Sequence, residues 1–358
     1  MVNRYSVKGL GQGRGSTQLV AVGAGLTAAL LTLAAERNAS AAAAAVGYLS
    51  PLPLMIATLG FGHLAGLGSA FIGALVIMVY TLAQQPHELT GATFFAVGEA
   101  GLLFLCAKGL PAWWLARLAG LSRGADAPHW SGAEAPQLGS VPYPLGRILV
   151  QACVIVAAWS AFDVIEPTLR YGSYDAALTH AADQAAPLVR SLLGEDREPL
   201  SGLDVPTLAR LVVRFVPLTS AGMLLLILLV NLWLAARVAQ TSNLLRRPWP
   251  DIAQDLRAPR SLVLVFAATV AACFLGDLAG ALAAIAAATL AVAFALQGLA
   301  VVHVLTRGVG FRIALLLGIY VALPLLMPWP FAGLTLLGLA EAGFGLRDRK
   351  RAHQTQKT

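Results

Sequence analysis

Long apolar runs alternate with short polar breaks along almost the whole chain. The runs fall at about 18–35, 40–60, 64–84, 90–108, 145–165, 211–236, 261–279, 281–304, 311–328 and 331–345. A helix of about twenty apolar residues crosses the hydrocarbon core of a bilayer. In lipid, helices satisfy their own backbone hydrogen bonds, so apolar runs of this length read as helices. The pattern predicts an all-α protein, a polytopic transmembrane helical bundle of about ten spans, in the range eight to ten. The first run mimics a secretory leader, but it is long for one and another apolar run follows at once, so it is read as a retained helix.

One run raises a question of its own. Residues 41–83 carry no Lys, Arg, Asp or Glu, yet "YLSPLPLMIA" places Pro51 and Pro53 near the middle of the first helix that this run can form. A proline inside a helix removes a hydrogen bond and costs about 3 kcal/mol. The run is too long for one crossing, and "GFGHLAGLG" at 60–68 is the expected turn between two. Broken helices persist in membranes where the freed carbonyls are buried in protein or line a watery cavity. Ser50, Pro51 and Pro53 are therefore candidates for the wall of a solute cavity, with a packed kink as the alternative reading.

Charge orients the bundle. Most of the 25 Lys and Arg residues fall into groups that a ten-span chain puts on one side: Arg4, Lys8 and Arg14; Lys108, Arg117, Arg123 and Arg147; Arg237, Arg246, Arg247, Arg257 and Arg260; Arg307 and Arg312; and the group from Arg347 to Lys357. The positive-inside rule then places both termini in the cytoplasm. The expected organisation is a cytoplasmic tail at 1–17 and an N-terminal bundle at 18–165 with a cytoplasmic loop at about 109–144. An extracytoplasmic acidic loop at 166–205 follows. A C-terminal bundle at 206–345 contains a cytoplasmic interfacial segment at 242–260, and a basic tail closes the sequence at 346–358. Within the acidic loop, Asp204 before Pro206 reads as a helix N-cap. In 242–260, Arg246, Arg247, Trp249 and Arg257 have the composition of a segment held at the membrane interface.

Composition sharpens the class. Apolar residues make up 58% of the chain and charged residues 12%, against roughly 25% charged in soluble domains. The net charge of +7 is spread over helix ends, so it does not point to nucleic acid. The three cysteines and six histidines have no metal-ligand spacing, and no phosphate-binding loop or nucleophile motif occurs. No cofactor, metal or catalytic residue is expected, and the chain is not read as an enzyme.

Polar groups inside spans remain as candidates. Glu99 sits in the fourth run and is assigned either to a hydrated cavity or to helix packing. Asp277 and Glu341 are placed at interfaces, while Gln151, Asn231 and Gln297 add uncharged polarity. Arg210 and Arg214, four residues apart, share a helix face and either snorkel or hold an anionic solute. Ala21, Gly25 and Ala29 form a small-residue stripe that suits close helix docking.

Three stretches carry a resemblance: "YLSPLPLMIATLGFG", "NLWLAARVAQTSNLLRRPWPDIAQDLRAP" and "MPWPFAGLTLLGLAEAGFGLRDRKR". Together they resemble the YybS-like family of bacterial inner-membrane proteins, a domain of unknown function. Here Glu341 stands where that family more often has Asp, and Gly343 and Gly345 replace bulkier residues. The N-terminal half is distantly similar to the S components of energy-coupling-factor transporters, which bind small solutes and dock a membrane partner through the first helix. The resemblance implies docking through Ala21, Gly25 and Ala29, although the additional C-terminal spans depart from a six-helix S component. The expected function is binding, or helping to translocate, a small solute in the bacterial inner membrane. The alternative is a structural or regulatory partner of cell-envelope machinery. Expected partners are membrane lipids, a membrane protein and a small-molecule solute.

Overall fold

The computed structural model describes residues 14–37, 40–84, 90–123, 141–193, 204–245 and 249–355. The tail before residue 14, most of the loop 123–144, residues 194–203 of the acidic loop, and Arg246 and Arg247 lie outside the described residues. The chain packs as two units, one of Met1–Pro144 with Ile227–Pro250, the other of Leu145–Leu226 with Asp251–Thr358. By packing, the division thus falls at residue 144 rather than at 165.

The first unit begins with α1 (Arg14–Arg37), α2 (Ala41–Tyr48), α3 (Pro51–Phe61) and α4 (His63–Ala83). Ser40 caps α2 by accepting from the backbone of Ala43. Pro51 opens α3 in its first turn, the one helical position where the missing N–H is not needed. The chain reverses at Gly62, whose φ of 103° is open to glycine and strained for other residues. Next come α5 (Gly91–Phe104), a π-turn at Leu105–Gly109 and α6 (Leu110–Gly120), which together make one apolar stretch of 30 residues. A two-residue antiparallel pairing of β1 (Ser122–Arg123) with β2 (Val141–Pro142) is the one strand pairing among the described residues.

Close approach of backbones holds this unit together. A Cβ built on Gly25 of α1 would fall 2.5 Å from the carbonyl oxygen of Ser69 on α4, and one on Gly73 would meet the Phe104 ring at 2.7 Å. Ala28 and Ala29 have no exposed surface. In lipid, where apolar surface gains little by leaving its surroundings, small residues in register are what bring helices into contact.

The second unit contains α7 (Leu145–Tyr171), α8 (Tyr174–Leu193) and the first part of α9 (Val205–Thr241), whose remainder belongs to the first unit. Asp204 caps α9 through the backbone N–H of Thr207 at 3.2 Å, and those bonds hold its carboxyl below the usual range. The short α10 (Ile252–Asp255), α11 (Ser261–Ala272), α12 (Asp277–Leu305), α13 (Arg312–Leu325), α14 (Trp329–Phe344) and α15 (Leu346–Thr355) follow. α7 packs on α12, with Cys153 beside the carbonyl of Thr289. On the other side of α12, Thr335 of α14 donates to Ala291, and Gln297 Nε2 donates to Gly338. These two contacts rise in step along both helices, so α12 and α14 run parallel.

Among the described residues seven stretches are long and apolar enough to cross a membrane, or eight if one bent pair is a single span. That pair is α13 with α14, bent by 120°, where Pro324, Pro328 and Pro330 withdraw successive N–H donors. The run expected at 261–279 ends as a helix at Leu275, because Gly276 and Asp277 both take positive φ. At 1.5 Å per residue, α11 with its final turn is about 22 Å long, shorter than the ~30 Å hydrocarbon core.

Candidate functional site

The break between α2 and α3 shows where the carbonyls freed by proline go. Pro51 and Pro53 have no N–H, and the N–H of Leu52 donates to Leu49 at 3.0 Å rather than one residue further back to Tyr48. The Tyr48 carbonyl instead accepts from Asn231 Nδ2 of α9 at 2.8 Å, and the same nitrogen donates to Ile227 at 2.8 Å. Both amide protons of Asn231 are used, so its orientation is fixed and Oδ1 can only accept. Asn231 Oδ1 and Ser50 Oγ are both buried without a hydrogen-bond partner. Leaving a buried polar atom unpaired costs roughly 1–3 kcal/mol, so this break keeps two costly groups, a carbonyl oxygen that accepts and a hydroxyl that can donate or accept.

The second feature is Lys108. The sequence places it at the cytoplasmic end of a span over 90–108. In the structure the helix continues to Gly120, and Lys108 lies inside the stretch Gly91–Gly120. It sits on the π-turn Leu105–Gly109, a form that recurs at functional positions within helices. Its Nζ donates to Thr32 Oγ1 of α1 at 3.1 Å, and Thr32, 4% exposed, passes its own proton to the Ala28 carbonyl at 3.0 Å. Glu36, one turn further along α1, balances the charge from a distance.

The depth of this contact follows from its neighbours. Gly25 packs at Ser69 and Ile72, early to midway in α4, whereas Arg37 reaches Tyr80 near its end. Thr32 lies between, about halfway along a helix of 21 residues. Gly47 faces Ala35 and the Leu31 carbonyl, which puts the end of α2 at the same level. Lys108, Thr32, Ser50 and Asn231 thus share a depth in the first unit.

The other sequence candidates lie elsewhere. Glu99 is exposed on the outer face of α5, between Phe95 (74% exposed) and Leu102 (61%), and is not turned toward Ser50. Arg210 is engaged by Asp175 of α8 in an ion pair, and Arg214 is exposed beside Phe215. The two arginines therefore do not form a free clamp. Ala21, Gly25 and Ala29 are buried, and Ala21 and Gly25 face Gly68, Ser69 and Ile72 of α4. That stripe is occupied within the chain.

A third polar cluster, in the second unit, was not legible in the sequence. Arg347, 1% exposed, donates through Nε to Glu341 Oε1 at 2.7 Å, and its backbone N–H reaches Oε2 at 3.1 Å. The rest of its guanidinium donates to the carbonyls of Ala253 at 2.7 Å, Gln254 at 3.3 Å and Leu256 at 2.9 Å. Glu341 is thus a buried partner rather than an interfacial group. Gly345 in the left-handed region turns the chain so that α15 folds back over the end of α14. Lys350 then covers the carbonyls of Val304, Leu305 and Arg307 at the end of α12, where the helix dipole favours a cation.

Arg257, expected at the lipid interface, grips Asp348 with two bonds of 2.6 and 2.7 Å, and that grip raises its pKa. Trp249 is half-buried. Asp251 pairs with Arg307 at 2.7 Å. Partial burial pushes the Asp251 carboxyl up, but the Arg307 bond and charge outweigh it and hold the carboxyl below its ordinary 3.8. A carboxyl with a lowered folded-state pKa stabilises fully above its unfolded value and loses that contribution as pH falls through the folded one. Unfolding temperature is therefore expected to drop below about pH 4 in the parent, and the drop should shrink in Asp251→Asn. The pair is largely exposed, so the difference should be small, in the range of surface ion pairs.

A family model described as "Predicted membrane protein (DUF2232)" matches residues 177–340. The matched stretch begins within α8 and ends within α14. Its description agrees with the several apolar helices seen here: the chain is similar to a family of predicted membrane proteins whose description assigns no activity. No curated protein and no solved structure matches the chain.

Proposed function

We propose that this multi-pass membrane protein is not an enzyme and that its first unit binds a small solute or helps move one across the bilayer. The observation that carries the reading is Lys108, a cation placed about halfway across the unit on a π-turn. A charge at such depth costs several kcal/mol unless it is hydrated or paired, and ionisable groups there mark solute or ion paths. At the same level, the α2–α3 break adds the unpartnered Ser50 hydroxyl and the unpartnered carbonyl oxygen of Asn231. Discontinuous helices are a common way to build such sites.

The reading includes a bacterial inner membrane, both termini in the cytoplasm, and about ten crossings with α11, α13 and α14 as short ones. The grouping of basic residues supports it. So does the parallel run of α12 and α14, because α13 has to bring the chain back between them. The likeness to YybS-like proteins and to S components belongs to the same reading. A structural or regulatory role beside a membrane partner is favoured by one observation: α13 is apolar and none of its residues is buried in this chain, so lipid or a partner has to cover it.

Cysteine accessibility tests the solute reading. Single cysteines replace Ser50 or Thr32 in a background without Cys106, Cys153 and Cys273, with position 175 on α8 as the outside control. A small membrane-impermeant thiol reagent applied to intact cells should label all three. Adding Pro51→Ala and Pro53→Ala restores the donors of a continuous helix and should suppress labelling at 50. If position 175 reacts while 32 and 50 do not, no hydrated site opens outward and the proposal fails.

A further inference from the structure

We infer that the solute carries a single negative charge, seated on the ammonium of Lys108; this rests on the solute-binding reading above. An ammonium has three N–H donors and no acceptor. Thr32 takes one of them, and because its own proton goes to Ala28, Thr32 offers nothing but an acceptor. Among the described residues Lys108 has no other hydrogen-bond partner and is in no direct ion pair. Its counter-charge, Glu36, is exposed and acts only from a distance.

The site therefore presents donors and positive charge midway along a span. Anions are the complement of that arrangement. The charge is limited to one because, among the described residues, no second cation joins Lys108. Arg37, the next cation on α1, is held at the end of α4, with Nε 2.6 Å from the Tyr80 hydroxyl and its guanidinium over the ring at 4.9 Å. At the same depth the Asn231 carbonyl oxygen repels an anion, whereas the unpartnered Ser50 hydroxyl is free to turn its proton toward one; Lys108 supplies the charge on which the anion rests. A halide, the carboxylate of a small acid and a lipid phosphodiester share this chemistry.

The test uses the full chain in nanodiscs of zwitterionic lipid, with unfolding followed by tryptophan fluorescence. Chloride, acetate and sulfate are each titrated as sodium salts at constant ionic strength, against the bulky anion of sodium HEPES. Chloride or acetate should raise the unfolding temperature along a saturating curve, and whichever acts names the source. The same titration in discs containing phosphatidylglycerol tests the lipid source, since headgroups already on the site would abolish the response seen in zwitterionic discs. Lys108→Met removes a costly buried charge and so should fold. It should raise the half-saturating concentration tenfold or more, and Lys108→Arg should keep most of the response. The inference is overturned if neither monoanion acts saturably on the parent, if Lys108→Met responds as the parent does, or if sulfate saturates as well as the monoanions. Saturable stabilisation by choline or glycerol in place of the anions would refute the negative charge and leave the solute reading standing. No saturable probe, together with unreactive cysteines at 32 and 50, would refute both.

Discussion

Arg347→Met should destabilise the second unit by about 3–5 kcal/mol, the usual cost of removing one partner from a buried ion pair. Glu341 would be left as an uncompensated charge, and the carbonyls of Ala253 and Leu256 would lose the donor that Arg347 supplies. Thermal unfolding in a mild detergent, followed by circular dichroism, reads the effect. The double variant Glu341→Leu with Arg347→Met should recover part of the loss, because the stranded charge is gone. It should still fall short of the parent, since each orphaned carbonyl costs roughly 1–3 kcal/mol. A single variant within about 0.5 kcal/mol of the parent, the range of ordinary surface changes, would show that the pair contributes little.

An effect of similar size is expected from one methyl group at the α12–α14 crossing. A Cβ on Gly298 would fall 2.0 Å from the Leu334 carbonyl oxygen, and one on Gly338 would fall 1.9 Å from that of Phe294. Both obstacles are backbone, so no side-chain rotation relieves them and the helices have to separate. Overpacking typically costs 1–3 kcal/mol and sometimes more, and separation would also break the Gln297–Gly338 bond of 2.9 Å. Gly298→Ala and Gly338→Ala should therefore each lower the unfolding temperature sharply. Gly318→Ala and Gly333→Ala, where nothing lies within 4 Å of the new atom, should leave it unchanged. Equal behaviour of the two sets would mean that α12 and α14 do not cross at these glycines.

The contrast between these positions also shows how far the sequence could be read. Apolar run length marks most of the helices, and residue chemistry marks a turn within 60–68, a break at Pro51 and Pro53 and the cap at Asp204. Each is a local rule. Faces are harder. An apolar residue on every side of α5 gives no amphipathic signal, so nothing in the sequence says that Glu99 points outward. Gly298 and Gly338 look like any other glycines in a chain that has 35. Lys108 is hard to place for a related reason: a basic residue closing an apolar run reads as a flank, and the resumed helix through Pro111, Trp113 and Trp114 puts it inside. The signal that could have found it is the run itself, which continues to Gly120 with few charges. For Arg347 no local signal exists. Three of its acceptors are backbone carbonyls more than ninety residues earlier.

That separation governs the order in which the protein can be made. The carbonyls of Ala253, Gln254 and Leu256 leave the ribosome early, and their donor emerges only after α11, α12, α13 and α14 have been synthesised. Until then the carbonyls of Ala253 and Leu256 lack the donor that Arg347 will bring, so the segment holding α10 has to wait outside the hydrocarbon while three more helical stretches and α14 are inserted. The ends of α12 and α14 wait as well, for Lys350 and Arg347. Closure of the second unit is thus a late step, set by translation of residues 346–350 rather than by the insertion of any one helix.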